Sequence, residues 1–288
     1  MIIDAHVHVW DPRERSYAWL DGSDLHRPLL PDRYASEARA VGGVVFVQAS
    51  DADGAGEARW VDALDWPELL GIVARIDLAQ EADAVRADLS ELAAIERVVG
   101  VRHLLQDVDV ADFPAVAEGL RILGRAGGSF DACIRATQLP ALIDLLESVP
   151  DLTVVLDHVG KPPVDAGIDS ADGRAWAAGI TRLATRPRTF VKLSGLAAES
   201  RDPVAFDTHT GAFLRHAVDA FGADRAMLGS DWPVSAYVGV GGTFSDWTER
   251  VRSVVSPGDW AAVSETSARR AYLPGGSRGF APVAGRRA

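Results

Sequence analysis

Two histidines one residue apart, His6 and His8, lie in a short apolar run at the start of the chain. Alternate side chains of a β-strand point to the same side, so the spacing predicts that both imidazoles share a polar face with Asp4, opposite an apolar face. An exposed edge strand with solvated histidines is the simpler interpretation. A strand that begins at residue 2 and has an apolar opposite face is, however, typical of the first strand of a buried sheet. Two buried imidazoles need partners, which the rest of the chain is expected to supply.

Polar side chains also stand at the ends of the later strand-like runs. They are Gln48, Ser50, Arg102, His103, Arg135, His158, Ser194 and Asp231. Three histidines and one aspartate are ligands that zinc or a similar divalent ion accepts. The same set also fits a metal-free site, in which Asp231 takes a proton from water while a histidine polarises a carbonyl group.

Strand-like runs and helical patterns alternate along the chain, which is typical of a single (β/α)8 TIM barrel in the α/β class. The predicted strands begin at residue 2 and then cover 44–49, 71–76, 99–104, 129–134, 153–158, 189–194 and 225–231. The predicted helices cover 56–70, 80–98, a segment through Val116 that ends at Gly127, 139–148, 174–185, 206–221, 244–255 and 257–272. In a closed barrel the carboxyl ends of the strands meet at one mouth, where these enzymes carry their active sites.

No G-x-G-x-x-G sequence follows the first strand, so a doubly wound dinucleotide-binding fold is the weaker alternative and no organic cofactor is expected. We predict one domain over residues 1–274 and a mobile tail over residues 275–288, where Gly, Arg and Pro occur without periodicity. The turn-rich segment 10–33 carries several aromatic residues, including Trp19, and is expected to form an ordered loop on the substrate side.

Composition excludes several classes of function. The chain of 288 residues has 48% hydrophobic and 24% charged residues and no apolar run long enough to span a membrane. No signal-peptide pattern is visible, so we expect a cytoplasmic protein. The single cysteine, Cys133, cannot form an internal disulfide and is expected to be a small core residue. A formal charge of −12 argues against nucleic acid as a partner and favours a neutral or weakly charged small molecule.

Five ordered motifs together resemble the amidohydrolase superfamily. They are His6-Val-His8, Gly100-Val-Arg-His103, Leu156-Asp-His-Val-Gly-Lys-Pro162, Lys192-Leu-Ser-Gly195 and Gly229-Ser-Asp-Trp-Pro233. The chain is most similar to the sugar-lactone branch, which contains fuconolactonase-like, rhamnonolactonase-like and pyrone-dicarboxylate lactonase-like enzymes, and the segment Tyr17-Ala-Trp-Leu20 shares this likeness. The resemblance runs from about Ile2 to Leu273 and therefore covers nearly the whole chain.

The resemblance implies a metal site at four retained positions, His6, His8, His158 and Asp231. The fourth strand has Val101-Arg-His103 where metal-rich branches carry a bridging lysine, so the resemblance implies one divalent ion, zinc or manganese, and no second ion. Lactonases of this branch differ in whether they use a metal, and both possibilities stay open here.

The resemblance further implies a hydrolase that opens a sugar-derived lactone to the aldonic acid. Asp231 is expected to act as general base, and His158 with Arg102 or a bound ion to stabilise the oxyanion. The candidate substrate contacts are Gln48, Arg102, His103, Trp19 and Trp232.

Several of these residues have structural alternatives. Arg102 could instead pair with a helix carboxylate, His103 has the opposite strand parity, and Trp232 could simply pack the loop after the last strand. Lys161 could be either a solvated loop charge or a ligand-binding group. Asp157 is expected to be a structural hydrogen-bond acceptor.

The alternative reaction is a metal-dependent non-oxidative decarboxylation, and an inert barrel used for ligand binding is a rival of another class. We expect a small-molecule lactone as the partner, without nucleic acid or membrane. The sequence leaves open which lactone is used, its ring size and whether the chain forms a homo-oligomer.

Overall fold

The eight predicted strands form one parallel sheet in the order of the sequence, which closes on itself. A computed structural model describes residues 1–49 and 51–273, so Ser50 and the predicted tail at 275–288 lie outside the described residues. The last strand meets the first where the Asp231 N–H donates to the His6 carbonyl and the His8 N–H to the Trp232 carbonyl, each at 2.8 Å. The prediction of a (β/α)8 barrel is therefore confirmed.

The strands are β1 Ile2–Val7, β2 Val41–Val47, β3 Leu69–Arg75, β4 Val98–Leu104, β5 Ser129–Cys133, β6 Thr153–Leu156, β7 Thr189–Leu193 and β8 Ala226–Leu228. The α-helices are α1 Pro31–Glu37, α2 Gly54–Asp62, α3 Ala82–Leu92, α4 Ala117–Arg125, α5 Leu139–Glu147, α6 Ala171–Ala184, α7 Leu196–Glu199, α8 Pro203–Phe221, α9 Val234–Tyr237, α10 Phe244–Val254 and α11 Ser267–Tyr272. Among the described residues, none of these helices is long and apolar enough to cross a bilayer.

Two apolar layers hold the barrel together. One lies between the strands and the outer helices, and the other fills the barrel interior. The interior layer takes one or two apolar side chains from most strands, and Ala268, Ala271 and Tyr272 of α11 pack onto it. A side chain caps the start of α2, α6, α8 and α10: Asp53, for example, accepts from the Gly56 N–H at the start of α2.

Element boundaries differ from the sequence pattern where turns intervene. The predicted helix over 56–70 ends at Asp62, because a turn containing Trp66 leads directly into β3. The predicted helix over 257–272 is interrupted by a π-helical turn, Ala262–Thr266, before α11. Strand β8 is only three residues long, since the chain turns at Gly229 toward β1.

The prediction that Asp4 shares a face with His6 and His8 is wrong. Ile3 packs in the barrel interior whereas Val7 packs in the outer layer, and the pairing of β1 with β2 shifts register between Asp4 and Val7. An irregularity of this kind resets the alternation of side chains. The Asp4 carboxylate consequently accepts hydrogen bonds from the Tyr34 hydroxyl, at 2.9 Å, and from a backbone N–H, while the two imidazoles turn to the mouth.

Candidate active site

Three imidazole Nε2 atoms converge on one carboxylate at the mouth of the barrel. Oδ1 of Asp231 lies 3.4 Å from Nε2 of His8, 3.7 Å from that of His6 and 3.8 Å from that of His158. The Nε2 atoms of His6 and His8 are 3.2 Å apart. The structure thus brings together all four residues predicted as metal ligands, and each of them is buried.

The other ring nitrogen of each histidine has a partner. Nδ1 of His8 lies 2.7 Å from the Val47 carbonyl, which can only accept, so the neutral ring carries its proton on Nδ1 and a lone pair on Nε2. Nδ1 of His158 lies 3.1 Å from the Ser194 hydroxyl. Fixing Nδ1 in this way directs Nε2 toward the shared centre, as in metal sites whose outer hydrogen bonds orient the ligands.

The donor set fits one divalent ion. With metal–ligand distances of about 2.0–2.2 Å, the edges of a tetrahedral zinc site measure about 3.3–3.6 Å. The three distances among the Nε2 atoms of His6 and His8 and Oδ1 of Asp231, 3.2–3.7 Å, bracket this value, and these three residues form a candidate metal-binding group. A lone pair of His8 and a carboxylate oxygen facing each other at 3.4 Å also call for a positive charge between them.

A buried ion-pair network lies beneath the histidines. Nζ of Lys192 is 2.5 Å from Oδ2 of Asp131, 3.1 Å from Oδ1 of Asp157 and 3.2 Å from Nδ1 of His6. Oδ1 of Asp157 is itself 3.3 Å from Nδ1 of His6. Nδ1 of His6 therefore finds both a donor and an acceptor, and Asp157 serves as the hydrogen-bond acceptor that the sequence predicts. The Tyr272 hydroxyl donates to Asp131 at 2.7 Å and extends the network to α11.

The charges of the site follow from burial and from these pairings. Burial lowers the pKa of His158 to about 4, although the neighbouring carboxylates of Asp231 and Asp157 oppose this change. Burial, with the Lys192 ammonium, also lowers the pKa of His6. Burial alone would raise the pKa of Asp231, but the surrounding imidazoles outweigh it and lower that pKa below its ordinary value. Burial thus favours the neutral forms of His6 and His158, beside an Asp231 carboxylate that stays ionised.

Unusual backbone angles determine the positions of two of these side chains. His158 and Asp231 have φ values of +53° and +60°, in the left-handed region that residues other than glycine rarely adopt. Such conformations cost of order 1–3 kcal/mol each and are concentrated at functional sites. Gly195 also has positive φ, and a Cβ there would lie 2.2 Å from Nδ1 of His158. The glycine of the Lys-Leu-Ser-Gly motif therefore makes room for the imidazole.

Arg102 lies next to the cluster. Its guanidinium donates to the Gln48 carbonyl at 2.5 Å and lies 3.4 Å from Oδ2 of Asp157. The Gln48 side chain is buried at the end of β2. The carboxylate that pairs with Arg102 directly follows strand β6.

The aromatic candidates and His103 occupy different places. Trp19 is 45% exposed and donates its indole N–H to the Ala49 carbonyl, beyond the end of β2, so its ring lies at the mouth. Trp232 is buried, contacts Tyr34 edge to face and donates its indole N–H to Glu37. It therefore packs the loop after the last strand, which is the structural alternative to a substrate contact. His103 accepts a hydrogen bond from the Leu78 N–H and stays outside the imidazole cluster.

Comparison with known proteins adds the family. The amidohydrolase family model matches residues 3–273. Two L-fucono-1,5-lactonases are similar to the chain: that of Burkholderia multivorans is 34% identical, covering 94% of this chain and 95% of its own, and that of Burkholderia ambifaria is 32% identical, covering 85% and 84%. The chain belongs to the amidohydrolase family. A solved amidohydrolase structure from Burkholderia multivorans with bound zinc is 30% identical, with a TM-score of 0.81, and covers 94% of this chain and 99% of its own.

Three residues of this amidohydrolase site had no assigned role in the sequence analysis: Lys192, Asp131 and Tyr272. A usable signal was present, because Asp131 and Lys192 are charged residues in the middle of otherwise apolar strands. A charge at such a position must be paired within the barrel. Tyr272 carries no comparable signal, since an aromatic residue in a helix most often packs in a core.

Proposed function

We propose that this amidohydrolase opens a sugar-derived lactone to the corresponding aldonic acid. The observation that carries the proposal is the convergence of three imidazole Nε2 atoms on the Asp231 carboxylate at the barrel mouth. The names of the two Burkholderia relatives, L-fucono-1,5-lactonase, indicate the substrate class. A divalent ion, zinc or manganese, held by His6, His8, His158 and Asp231 would supply Lewis acidity toward the lactone carbonyl.

The residues of the chain divide the remaining work. Asp231, ionised and held by a 2.7 Å hydrogen bond from the Ser235 hydroxyl to Oδ2, accepts a proton from the attacking water. The water oxygen bonds to the carbonyl carbon, and the carbonyl oxygen takes up negative charge. His158 and the guanidinium of Arg102 stabilise that charge. When the ring C–O bond breaks, the proton on Asp231 passes to the ring oxygen, which leaves as a hydroxyl group.

Substitution of Asp231 tests the assignment. Asp231→Asn should lower turnover by about 10²-fold or more, because the amide cannot accept the proton. Turnover is measured on a panel of aldonolactones headed by L-fucono-1,5-lactone, with a pH indicator that reports the acid formed. Asp144→Asn, at an exposed position on α5, is the matched control and should keep wild-type turnover.

The same assay separates the competing reactions. Release of carbon dioxide from an aromatic acid, without acid formation from any lactone, would replace lactone hydrolysis by decarboxylation. Near wild-type turnover of Asp231→Asn on a confirmed lactone would remove the general-base assignment. Repeating the assay after exhaustive chelation tests the need for the ion: full activity without detectable metal would assign catalysis to the protein residues alone.

A further inference from the structure

Lysine is rare in this chain. Of the 29 lysines and arginines, only Lys161 and Lys192 are lysines, so arginine supplies every other basic side chain. Lys192 belongs to the ion-pair network beneath His6. Lys161 has no role in the mechanism above, although it is the lysine of the Leu-Asp-His-Val-Gly-Lys-Pro motif.

The backbone that carries Lys161 is unusual over four consecutive residues. His158, Val159, Gly160 and Lys161 have φ values of +53°, +54°, +69° and +51°. A β-branched valine in this region is a clear outlier. The segment begins with a predicted metal ligand and ends with the lysine, so a single strained turn after β6 sets the position of both side chains.

The Lys161 side chain is mostly buried and has a carboxylate partner. It is 14% exposed, and its Nζ donates to Oε1 of Glu199, in the segment after β7, at 2.6 Å. Burial raises the pKa of the Cys133 thiol, at the end of β5, to about 11, and the Lys161 ammonium is the largest charge that opposes this rise. Burial lowers the pKa of His158, and the Lys161 ammonium adds to this effect. Burial opposes the raised pKa of Lys161, to which the Asp231 carboxylate contributes. The Ser194 hydroxyl lies 3.1 Å from Nδ1 of His158, so the turn after β6 and the segment after β7, which carry Lys161 and Glu199, meet beside the imidazole cluster.

The hydrogen-bonding groups of the Lys161–Glu199 pair indicate which ligand it can bind. An ammonium group has three N–H donors, of which one is used by Glu199, and the carboxylate keeps further lone pairs. A hydroxyl group matches such a pair, because its oxygen accepts from the ammonium while its proton is donated to the carboxylate. A carboxylate substituent on the ligand would be repelled by Glu199, and planar bidentate recognition of carboxylates is the property of arginine.

We propose that Lys161 and Glu199 form a specificity subsite that binds ring hydroxyl groups of a neutral, polyhydroxylated lactone. The proposal rests on the proposed function, since it names the substrate class of the same site. It assigns the pair to substrate binding rather than to the joining of two loops. A pair that only joined loops would contribute equally to the hydrolysis of every lactone.

Paired substrates and variants test this distinction. Lys161→Met and Glu199→Gln should each lower kcat/KM for an aldonolactone by about 10-fold or more, mainly through KM, as loss of a polar substrate contact does. Hydrolysis of δ-valerolactone, which has no hydroxyl group, should change by less than about twofold. Lys161→Arg keeps the charge for an ion pair, yet should not restore binding of the aldonolactone. Arg250→Met, which removes a 2.6 Å ion pair with Asp207 between two helices, is the control for loss of an ion pair alone.

Equal losses on both lactones, no loss on either, or full rescue by Lys161→Arg would overturn the proposal. Amine labelling gives a readout that needs no turnover. In the Asp231→Asn variant, which should hydrolyse the lactone about 10²-fold more slowly, a saturating aldonolactone should slow reductive methylation of Lys161 several-fold, with the amino group of Met1 as the internal reference. Protection without turnover in the wild-type enzyme would contradict only the proposed function, whereas turnover without protection would contradict only the subsite.

Discussion

A buried glutamate next to the mouth, Glu57 on α2, should make folding stability depend on pH near neutrality. Its carboxylate is fully buried and accepts the Ala49 N–H through both oxygens, at 3.1 and 3.2 Å. Burial raises the pKa of Glu57 from its ordinary value of 4.5 to about 8, assisted by the nearby Asp51 carboxylate and opposed by the Ala49 N–H and the guanidinium of Arg102. The folded protein therefore holds a proton at pH 7 that the unfolded chain releases.

The sign and size of the effect follow from this difference. Because the folded pKa is the higher one, the stabilisation is complete below pH 4.5 and is lost as the pH rises through about 8. At about 1.4 kcal/mol for each pH unit that separates the two pKa values, the loss amounts to about 5 kcal/mol. Glu57→Gln keeps an oxygen for the Ala49 N–H and cannot ionise, so the variant should not suffer this loss.

Urea unfolding at a series of pH values from 4.5 to 9 measures the effect. The free energy of unfolding of Glu57→Gln minus that of the wild type should increase by about 5 kcal/mol across this range, with the steepest change between pH 5 and 8. Taking the difference cancels the other groups that titrate there. Glu118→Gln, at an exposed position on α4, should give a difference that does not change with pH. A constant difference for Glu57→Gln as well would refute the reasoning from burial.

Three further outcomes are expected. Gly195→Ala places a Cβ 2.2 Å from Nδ1 of His158, so zinc affinity measured by chelator competition should fall about 10–100-fold, and unchanged affinity would contradict the fit. Lys192→Met leaves Asp131 and Asp157 buried without their ammonium partner, so urea unfolding should show a loss of about 3–5 kcal/mol, and a smaller loss than about 1 kcal/mol would mean that the carboxylates are protonated. Elemental analysis of the purified protein should find at most one equivalent of zinc or manganese, and two equivalents would show a second site.

The sequence predicts the barrel and the four central residues because both depend on local patterns. Apolar runs separated by helical spacing predict eight strands in order, and a closed barrel brings the strand ends together whatever the exact boundaries are. His6, His8, His158 and Asp231 lie at or just after strand ends, so errors of two or three residues in a boundary do not move them away from the mouth. Boundaries such as the end of α2 at Asp62 were less predictable, since they depend on turn residues.

What the sequence could not predict depends on three-dimensional pairing. The direction of the Asp4 side chain depends on a register shift between β1 and β2. The alternation of apolar and polar residues in β1 does not reveal this shift. Trp232 packs in the protein rather than facing the substrate because of its contacts with Tyr34 and Glu37, which lie about two hundred residues away in the chain. The Lys161–Glu199 pair likewise joins two loops after different strands.

The charges inside the barrel connect its stability with its chemistry. A chain of contacts runs from Tyr272 on α11 through Asp131 to Lys192, and from Lys192 to Nδ1 of His6. Each buried charge in this chain is costly unless its partner is in place. The same pairing that offsets the cost also holds the His6 ring, whose Nε2 faces the Asp231 carboxylate. A substitution that breaks the chain of contacts at Asp131, in the middle of β5, should therefore disturb the donor set and the fold together, whereas the Lys161–Glu199 pair lies outside this network.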